Sequence, residues 1–418
     1  MTLPAPSSAA PLLPASMLLT VTGRDHPGIV ARLTGLLAQG GAQLLDVEQV
    51  VVQGQLTLCL LVRLPETRSL LAELLYAAKE LGVALDFRVL DPVPAAAPPA
   101  RGRYVATLVG RGLGSSALHA LATCLAEHGG NIEQVSRLTD GELAPGGAPQ
   151  ALESSALAAV EVRLTLAPGA SAEPLKRALL QLAMGSPFDI ALQREGLYRR
   201  SKRMVVMDMD STLIRIEVID ELARAHGVYE QVSHITERAM HGEMDYDESL
   251  RQRVALLEGL PVRVLRELAA SLPLTEGAET LVRVLKRLGF RTAVISGGFS
   301  VAAEALQARL GIDSAFSNVL EEQDGKLTGR TVGPIVNARR KAELLEQLAR
   351  EQGLLLDQVI AVGDGANDLL MLQRAGLGIA FRAKPKLREA ADTSISAGGL
   401  DTILYLLGLS ARELQEVG

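Results

Sequence analysis

The chain has 418 residues and a formal net charge of −6, and 48% of its residues are hydrophobic. This length predicts about three domains of ordinary size. Only 3% of the residues are aromatic, none is tryptophan and no basic block occurs, so a nucleic-acid partner is not expected. No apolar run approaches the roughly 20 residues of a membrane-spanning helix. The cysteines Cys59 and Cys124 lie in separate apolar segments, and residues 1–16 lack the basic start of a secretion signal, so we expect a cytoplasmic protein.

The first half of the chain contains one order of elements twice. After residues 1–16, which are rich in Pro, Ala and Ser and are expected to be flexible, residues 17–91 predict the order β-α-β-β-α-β. A Pro-rich linker, 92–102, leads into residues 103–195, where the order recurs around a Gly/Pro/Ala-rich loop at 139–155. The repeat predicts two ferredoxin-like units.

Two short motifs in these units resemble ACT domains, which are small modules that bind amino acids. They are T-G-R-D-H-P-G at Thr22–Gly28 and G-G-N-I at Gly129–Ile132. The resemblance implies an effector site that includes Asp25, Gly28 and Asn131, and, by analogy with paired ACT units, a homodimer. It is equally open that Gly28 only permits a turn and that Asn131 only caps a strand.

The second half begins with a short apolar run, Met204–Met207, followed by Asp208-Met209-Asp210. Such a run is typical of a buried strand in a parallel sheet. Side chains two apart on a strand share a face, so both carboxylates can point into one space at the strand's carboxyl end. There they could supply a nucleophile, an acid or base, or ligands for Mg²⁺. Taken alone, the two acids are better explained as ordinary solvated residues of a loop after a strand.

Three further polar groups follow at strand ends or helix starts. They are Ser296-Gly297-Gly298, Lys341, and the run Gly363–Asp368 with the sequence G-D-G-A-N-D. Between the first strand and these groups, residues 218–275 predict several consecutive helices, which can close over a site as a lid. Because the carboxyl ends of parallel strands meet at one edge of a sheet, we expect these groups to converge there.

This set of motifs resembles the phosphatases of the haloacid dehalogenase superfamily, and within it the phosphoserine phosphatase family, over residues 203–407. The narrower match rests on Ile216–Glu221, Ser249–Val254 and Val294–Phe299. The resemblance implies a Rossmann-like parallel-sheet core at 200–418 with a helical cap at 218–275. The chain departs from the family at Val218, where Cys is common, and at Tyr246, where Phe is frequent.

The resemblance also implies roles for individual residues. Asp208 would be the nucleophile that forms an aspartyl-phosphate, and Asp210 the general acid and base. Mg²⁺ would be held by Asp208, the backbone carbonyl of Asp210 and Asp364, with Asp368 acting through water. The phosphoryl group would be bound by Ser296, Gly297 and Lys341, and Asn367 would contact the phosphate or orient its neighbours.

The substrate that the resemblance implies is O-phospho-L-serine, whose hydrolysis yields L-serine. Arg253 suits its carboxylate and Glu217 suits its ammonium group, although both residues could also be ordinary helix-face charges or a surface ion pair. L-serine is then the expected effector of the ACT units. Two alternatives remain open: a phosphatase of another small phosphomonoester, and an amino-acid sensor whose phosphatase-like half is not catalytic.

Overall fold

The computed structural model describes residues 16–64, 69–90, 102–139 and 157–417. The predicted flexible N-terminus except Ser16, the linker except Gly102, and the predicted loop after Thr139 lie outside the described residues. The chain divides into two compact units, 1–99 and 100–418. Among the described residues, no helix combines the length and the apolar character needed to cross a membrane.

The first unit is a four-stranded antiparallel sheet with two helices on one face. Its elements are β1 (Ser16–Arg24), α1 (Ile29–Gln39), β2 (Gln43–Val52), β3 (Gln55–Arg63), α2 (Ser69–Glu80) and β4 (Ala84–Leu90). The strand order is β2-β3-β1-β4. Leu19 and Leu58 of the sheet pack against Leu33 and Leu74 of the helices. This arrangement confirms the predicted ferredoxin-like fold for this part of the chain.

The unit 100–418 begins with a second sheet of the same design. Its elements are β5 (Gly102–Arg111), α3 (Ser115–Glu127), β6 (Gly130–Arg137), β7 (Leu157–Leu166), α4 (Glu173–Met184) and β8 (Phe188–Arg194), in the strand order β6-β7-β5-β8. One sheet face packs on α3 and α4. Val109, Ala159 and Ala191 point from the other face into the same apolar core as the residues that follow.

The remainder of the chain alternates strands and helices around a large sheet. Its elements are α5 (Leu197–Arg200), β9 (Met204–Met207), α6 (Val218–His226), α7 (Tyr229–Met240), α8 (Tyr246–Ala255), α9 (Val262–Ala270), α10 (Ala278–Arg287), β10 (Arg291–Phe299), α11 (Ser300–Leu310), β11 (Ser314–Gln323), β12 (Lys326–Val332), α12 (Ala338–Glu351), β13 (Val359–Gly363), α13 (Leu369–Arg374), β14 (Leu377–Phe381), α14 (Pro385–Ala390), β15 (Thr393–Ile395), α15 (Thr402–Leu406) and α16 (Ala411–Val417).

The seven strands of this sheet lie in the order β12-β11-β10-β9-β13-β14-β15. All neighbours are parallel except β12, which pairs antiparallel with β11. β9 is central, and Val205 pairs with Thr292 of β10 and Ile360 of β13. All four β9 residues are buried because helices cover both faces of the sheet. The predicted parallel-sheet core is therefore confirmed.

The helices α6 to α9 form the cap, which is inserted between β9 and α10. The chain enters and leaves the cap through a narrow neck, where Ile214 forms an antiparallel bridge with Leu274. The Arg215 amide donates to the Pro273 carbonyl at 3.0 Å, and the Thr275 amide donates to the Leu213 carbonyl at 2.9 Å. The cap thus begins immediately beyond the two aspartates that follow β9.

Candidate active site

Asp208 lies at the carboxyl end of the central strand and is buried, with 4% of the residue exposed. Its amide donates to the Val362 carbonyl of β13 at 2.9 Å, which continues the sheet by one residue. Its Oδ1 accepts a hydrogen bond of 2.8 Å from the Met209 amide. The carboxylate is thereby held at the sheet edge where the other predicted groups also converge.

Lys341 lies in the first turn of α12, and its side chain is completely buried. Its Nζ lies 2.8 Å from Oδ1 of Asp208 and 2.7 Å from Oδ1 of Asp368. Although burial opposes the charged form, the two carboxylates raise the pKa of Lys341 above its usual range. The ammonium group is therefore a fixed positive charge beside Asp208.

Three carboxylates share this site with the single lysine. Asp208, Asp364 and Asp368 each place one ligand oxygen within 4.8 Å of the others. Burial, reinforced by the neighbouring acids, raises the pKa of Asp208 to about 8 and that of Asp364 to about 7. A cluster with this excess of negative charge is stabilised by a divalent cation, and hard oxygen ligands suit Mg²⁺. The donor set therefore fits the metal that the sequence predicts.

The loop after β13 is organised by Asp368, which is fully buried. Its Oδ2 accepts hydrogen bonds from the amides of Asp364 at 3.2 Å and Gly365 at 3.0 Å. Thr212 donates from Oγ1 to Oδ1 of Asp364 at 3.2 Å, which links this loop to the one after β9. Asn367 is partly buried in the same loop. The run Gly363–Asp368 thus lies at the edge that bears Asp208.

Asp210 occupies a tight turn after Asp208, and its side chain accepts a hydrogen bond from the cap. Ser211 has a positive φ of 59°, which is uncommon for a residue other than glycine. The amide of Val218, the first residue of α6, donates to Oδ1 of Asp210 at 3.1 Å. Burial and the charge of Glu217 raise the pKa of Asp210 well above its usual range. Asp210 is therefore suited to hold a proton near neutral pH.

Two of the predicted phosphate-binding residues, Ser296 and Gly297, lie near the end of β10. Ser296 is completely buried, and its Oγ accepts a hydrogen bond of 2.9 Å from the Gly298 amide. A Cβ atom on Gly298 would lie 2.4 Å from Oδ2 of Asp210, so this position has no room for a side chain. The carbonyl of Gly297 accepts hydrogen bonds from Nδ2 of Asn318 at 2.7 Å and from the Tyr246 hydroxyl at 3.3 Å.

Asn318 is a residue of this site that the sequence analysis did not identify. It is 2% exposed, and its Oδ1 accepts a hydrogen bond of 2.8 Å from the Val336 amide. It therefore ties Gly297 to the segment that precedes α12. Tyr246, the first residue of α8, lies directly against Gly297. A Cβ atom on Gly297 would be 2.0 Å from the Tyr246 hydroxyl. Burial raises the pKa of Tyr246 to about 12, so its hydroxyl remains a hydrogen-bond donor.

Of the two charged residues predicted to select the substrate, Glu217 directly precedes the first cap helix and Arg253 lies in the third. Glu217 is exposed and accepts a hydrogen bond of 2.7 Å from the Ser211 hydroxyl. Arg253 is partly buried on α8 and donates from Nε to the Ser249 carbonyl at 3.3 Å. Within the described residues no ion pair joins Arg253 to Glu217 or to any other carboxylate. The structure therefore does not contain the alternative surface ion pair between Glu217 and Arg253.

The predicted effector residues lie in two different compact units. A cleft of about 550 Å³ in the first unit is lined by Asp25, Gly28 and Gln49, among others. Gly28 has a φ of 102°, a conformation that favours glycine. Asn131 lies on β6, where it pairs with Thr165 of β7. An effector role for these residues stays a prediction.

Both halves of the chain are similar to known protein families. The haloacid dehalogenase-like hydrolase family matches residues 202–376, and the ACT domain family matches residues 15–88. The chain is 42% identical to a phosphoserine phosphatase of Streptomyces coelicolor, over 96% of this chain and 94% of that protein. It is also 42% identical to the phosphoserine phosphatase SerB2 of Mycobacterium tuberculosis, over 96% of this chain and 95% of that protein. Among solved structures, a HAD family hydrolase from Salmonella enterica serovar Typhi has a TM-score of 0.60 at 31% identity, covering 73% of this chain and 98% of that one.

Proposed function

Because the chain belongs to the phosphoserine phosphatase family, we propose that it hydrolyses O-phospho-L-serine to L-serine and phosphate. The observation that carries this proposal is the buried arrangement of Asp208, Lys341 and Asp368 at the carboxyl end of β9. Burying a lysine between two carboxylates is costly. An inactive scaffold would not require this arrangement, because its acids could remain at the surface. This arrangement supports catalysis over the sensor alternative.

Asp208 is the proposed nucleophile. Its carboxylate would attack the phosphorus atom to give an aspartyl-phosphate, and the serine oxygen would leave. The main obstacle is the repulsion between a carboxylate and an anionic phosphate. The ammonium group of Lys341, 2.8 Å from the carboxylate, lowers this repulsion and can also bind a phosphoryl oxygen.

Asp210 is the proposed acid and base. It would give its proton to the leaving serine oxygen and then take one from the water that hydrolyses the aspartyl-phosphate. Its raised pKa supports the first step, since a carboxyl group must be protonated to act as an acid. The Val218 amide would hold the side chain in place during both steps.

We propose Mg²⁺ as the metal of the acidic cluster, held by the carboxylates of Asp208 and Asp364 and the backbone carbonyl of Asp210, with Asp368 acting through water. When bound, the ion would neutralise part of the charge of the phosphate and the carboxylates. Ser296, the Gly297 amide and Lys341 would bind the phosphoryl oxygens, and Asn367 would contact the phosphate or orient its neighbours.

Substrate selection is assigned to the cap. Arg253, which has no carboxylate partner in the described part of the chain, would bind the carboxylate of the serine moiety. Glu217 would bind its ammonium group. The second candidate substrate is another small phosphomonoester, which would lack the carboxylate, the ammonium group or both. Without the carboxylate, the partly buried guanidinium group of Arg253 would remain unpaired.

The remaining proposals concern regulation and context. We propose that the first unit binds an amino-acid effector, with L-serine the first to test, at the cleft containing Asp25 and Gly28. Asn131 remains a proposed effector residue of the second ferredoxin-like sheet, and we propose a cytoplasmic homodimer. Size measurement of the full chain in solution tests the dimer.

The proposed function is tested by phosphate release from O-phospho-L-serine with Mg²⁺, against a panel of other phosphomonoesters. The expected result is rapid and selective release that EDTA abolishes and excess Mg²⁺ restores. Release from the panel but not from phosphoserine would retain the chemistry and overturn the roles of Glu217 and Arg253. Lack of release from every compound would favour the sensor alternative.

A further inference from the structure

A second cleft, of about 540 Å³, lies where the β5–β8 sheet meets the large parallel sheet. It is lined by parts of the segment 192–202 and by residues at the amino-terminal starts of β13 and β14, including Asp357 and Leu377. The cleft is therefore at the opposite end of the sheet from Asp208. Its volume is in the range of small-molecule sites.

Lys202 is one of two buried basic residues in the lining of this cleft, and it is 4% exposed. Its Nζ donates a hydrogen bond of 2.6 Å to the backbone carbonyl of Asp357. In the ranges that the structure covers, no carboxylate lies within 4 Å of this ammonium group. Burial lowers the pKa of Lys202 to about 8, which reflects a charge without sufficient compensation. Buried charges are normally paired in direct contact, whereas Asp357 and Asp392 act on this ammonium group only from a longer distance.

Arg199 adds a second donor to the same lining. It is 5% exposed and is paired through Nη2 with the buried carboxylate of Glu161. Its Nε is buried and has no acceptor among the described residues. A buried donor left unsatisfied destabilises a fold, so a further acceptor near Arg199 would be stabilising.

The lining also carries acidic groups, which restrict the ligand. Asp357 is exposed, and Asp392 lies 2.8 Å from Nζ of Lys176. A multiply charged anion at Lys202 would be repelled by these carboxylates. A ligand with a carboxylate at one end and an ammonium group at the other would be attracted by both parts of the lining.

We propose that this cleft binds a small α-amino acid, with its carboxylate on Lys202 and its ammonium group on Asp357. The site is separate from the cleft of the first unit, which is lined by other residues. Lys202 lies two residues before β9, and the neighbouring Arg203 is hydrogen-bonded to the entries of both adjacent strands through Gln358 and Arg291. The ligand would therefore bind at the start of the strand that ends at Asp208.

The proposal is tested without turnover, by lysine labelling of the full chain. The protein is acetylated with trace acetic anhydride, alone or with saturating L-alanine, L-serine, propionate or inorganic phosphate, and each lysine is quantified by mass spectrometry. Either amino acid should lower the labelling of Lys202 about tenfold, the fall expected at nine-tenths occupancy, and should leave the exposed Lys79 unchanged. Propionate and phosphate should protect it much less.

The variant Asp357→Asn locates the site, because it removes the proposed ammonium partner from an exposed position and should not disturb folding. It should lose most of the protection by amino acids, whereas Asp324→Asn in the hairpin between β11 and β12 should retain it. Unchanged labelling of Lys202 with both amino acids would overturn the site. Equal protection by propionate or phosphate, or protection that survives in Asp357→Asn, would overturn the zwitterion assignment.

Discussion

The amide of Val218 donates a hydrogen bond of 3.1 Å to Oδ1 of Asp210, so the first turn of the cap holds the proposed acid and base. The contact comes from the backbone and not from the side chain. The departure from the family at this position, Val where Cys is common, therefore leaves the contact unchanged. It also allows the hydrogen bond to be removed selectively.

Replacing Val218 with proline should lower kcat for O-phospho-L-serine about 10- to 100-fold. The change removes the hydrogen bond that positions Asp210, and this bond is to a charged group once Asp210 has given up its proton and acts as the base. Proline is accommodated at the first position of a helix, so α6 should persist. Val218→Cys keeps the amide and is the matched control. Steady-state kinetics and circular dichroism of both variants check the prediction, and equal activity of the two would remove the Val218 amide from the mechanism.

Asp208→Asn should lower phosphate release at least about 10³-fold, since an amide cannot serve as the nucleophile. The fold should remain, because asparagine has nearly the same shape and the buried Lys341 keeps Asp368 as its partner. Asp324→Asn, at an exposed turn, controls for the loss of one carboxylate. Trapping of a phosphorylated protein should succeed with the unmodified chain and fail with Asp208→Asn; an active Asp208→Asn enzyme would contradict the assignment.

Arg253→Ala should lower kcat/KM for O-phospho-L-serine about 100-fold, because a charged hydrogen-bonded contact to the substrate carboxylate disappears. Hydrolysis of p-nitrophenyl phosphate, which has no such carboxylate, should change far less. Arg251→Ala removes an exposed arginine from the same helix and should leave both activities intact. A parallel loss of both activities in Arg253→Ala would show that the arginine does not select the substrate.

Asn318→Ala should lower the free energy of unfolding by about 2 kcal/mol, since it leaves the Gly297 carbonyl and the Val336 amide without their partner. Tyr246→Phe loses one longer hydrogen bond and should be milder in both stability and kcat. Urea unfolding and phosphate release measure the two variants side by side. A larger effect of Tyr246→Phe would show that Tyr246, and not Asn318, contributes more to holding Gly297 in place.

Lys202 should make stability depend on pH between about 8 and 10.5. The folded state releases its proton near pH 8, whereas the unfolded chain holds it until about 10.5. In that window the unfolded state binds more protons, so stability rises with pH, by up to about 3 kcal/mol. As the pH rises through this window, the urea midpoint of the unmodified chain should therefore increase relative to that of Lys202→Met. A constant difference would contradict this linkage.

Much of the fold was predictable because local signals agree with tertiary packing. The spacing of apolar residues predicts helices over residues 29–39, 173–184 and 338–351, and the structure has α1, α4 and α12 at these residues. Each has an apolar face, and glycine follows directly after α1 and α4. The hairpin at Gln53-Gly54 has positive φ at both residues, as its sequence indicates.

The parts that were missed have no local signature. The sequence predicts a strand over residues 290–295 that ends in Ser296-Gly297-Gly298. In the structure β10 includes these three residues and continues to Phe299, because glycines within a strand also permit close backbone approach at a site. Asn318 lies within β11 without any surrounding motif, and its role appears only when Gly297 is brought beside it. The Val218 contact uses a backbone amide, which every residue but proline possesses. α13 has only six residues, too few for a clear period.

The apolar core that Val109, Ala159 and Ala191 share with the large sheet has a consequence for amide exchange. Amides of β5, β7 and β8 should exchange with deuterium together with those of β9 and β13, because one opening event exposes both sheets. The boundary between independently exchanging regions should then fall near residue 100, where the compact units divide. A fragment beginning at residue 200 would keep every proposed catalytic side chain, but its β9 and β13 amides should exchange faster than in the full chain, because the residues of β5, β7 and β8 that complete their apolar core are missing.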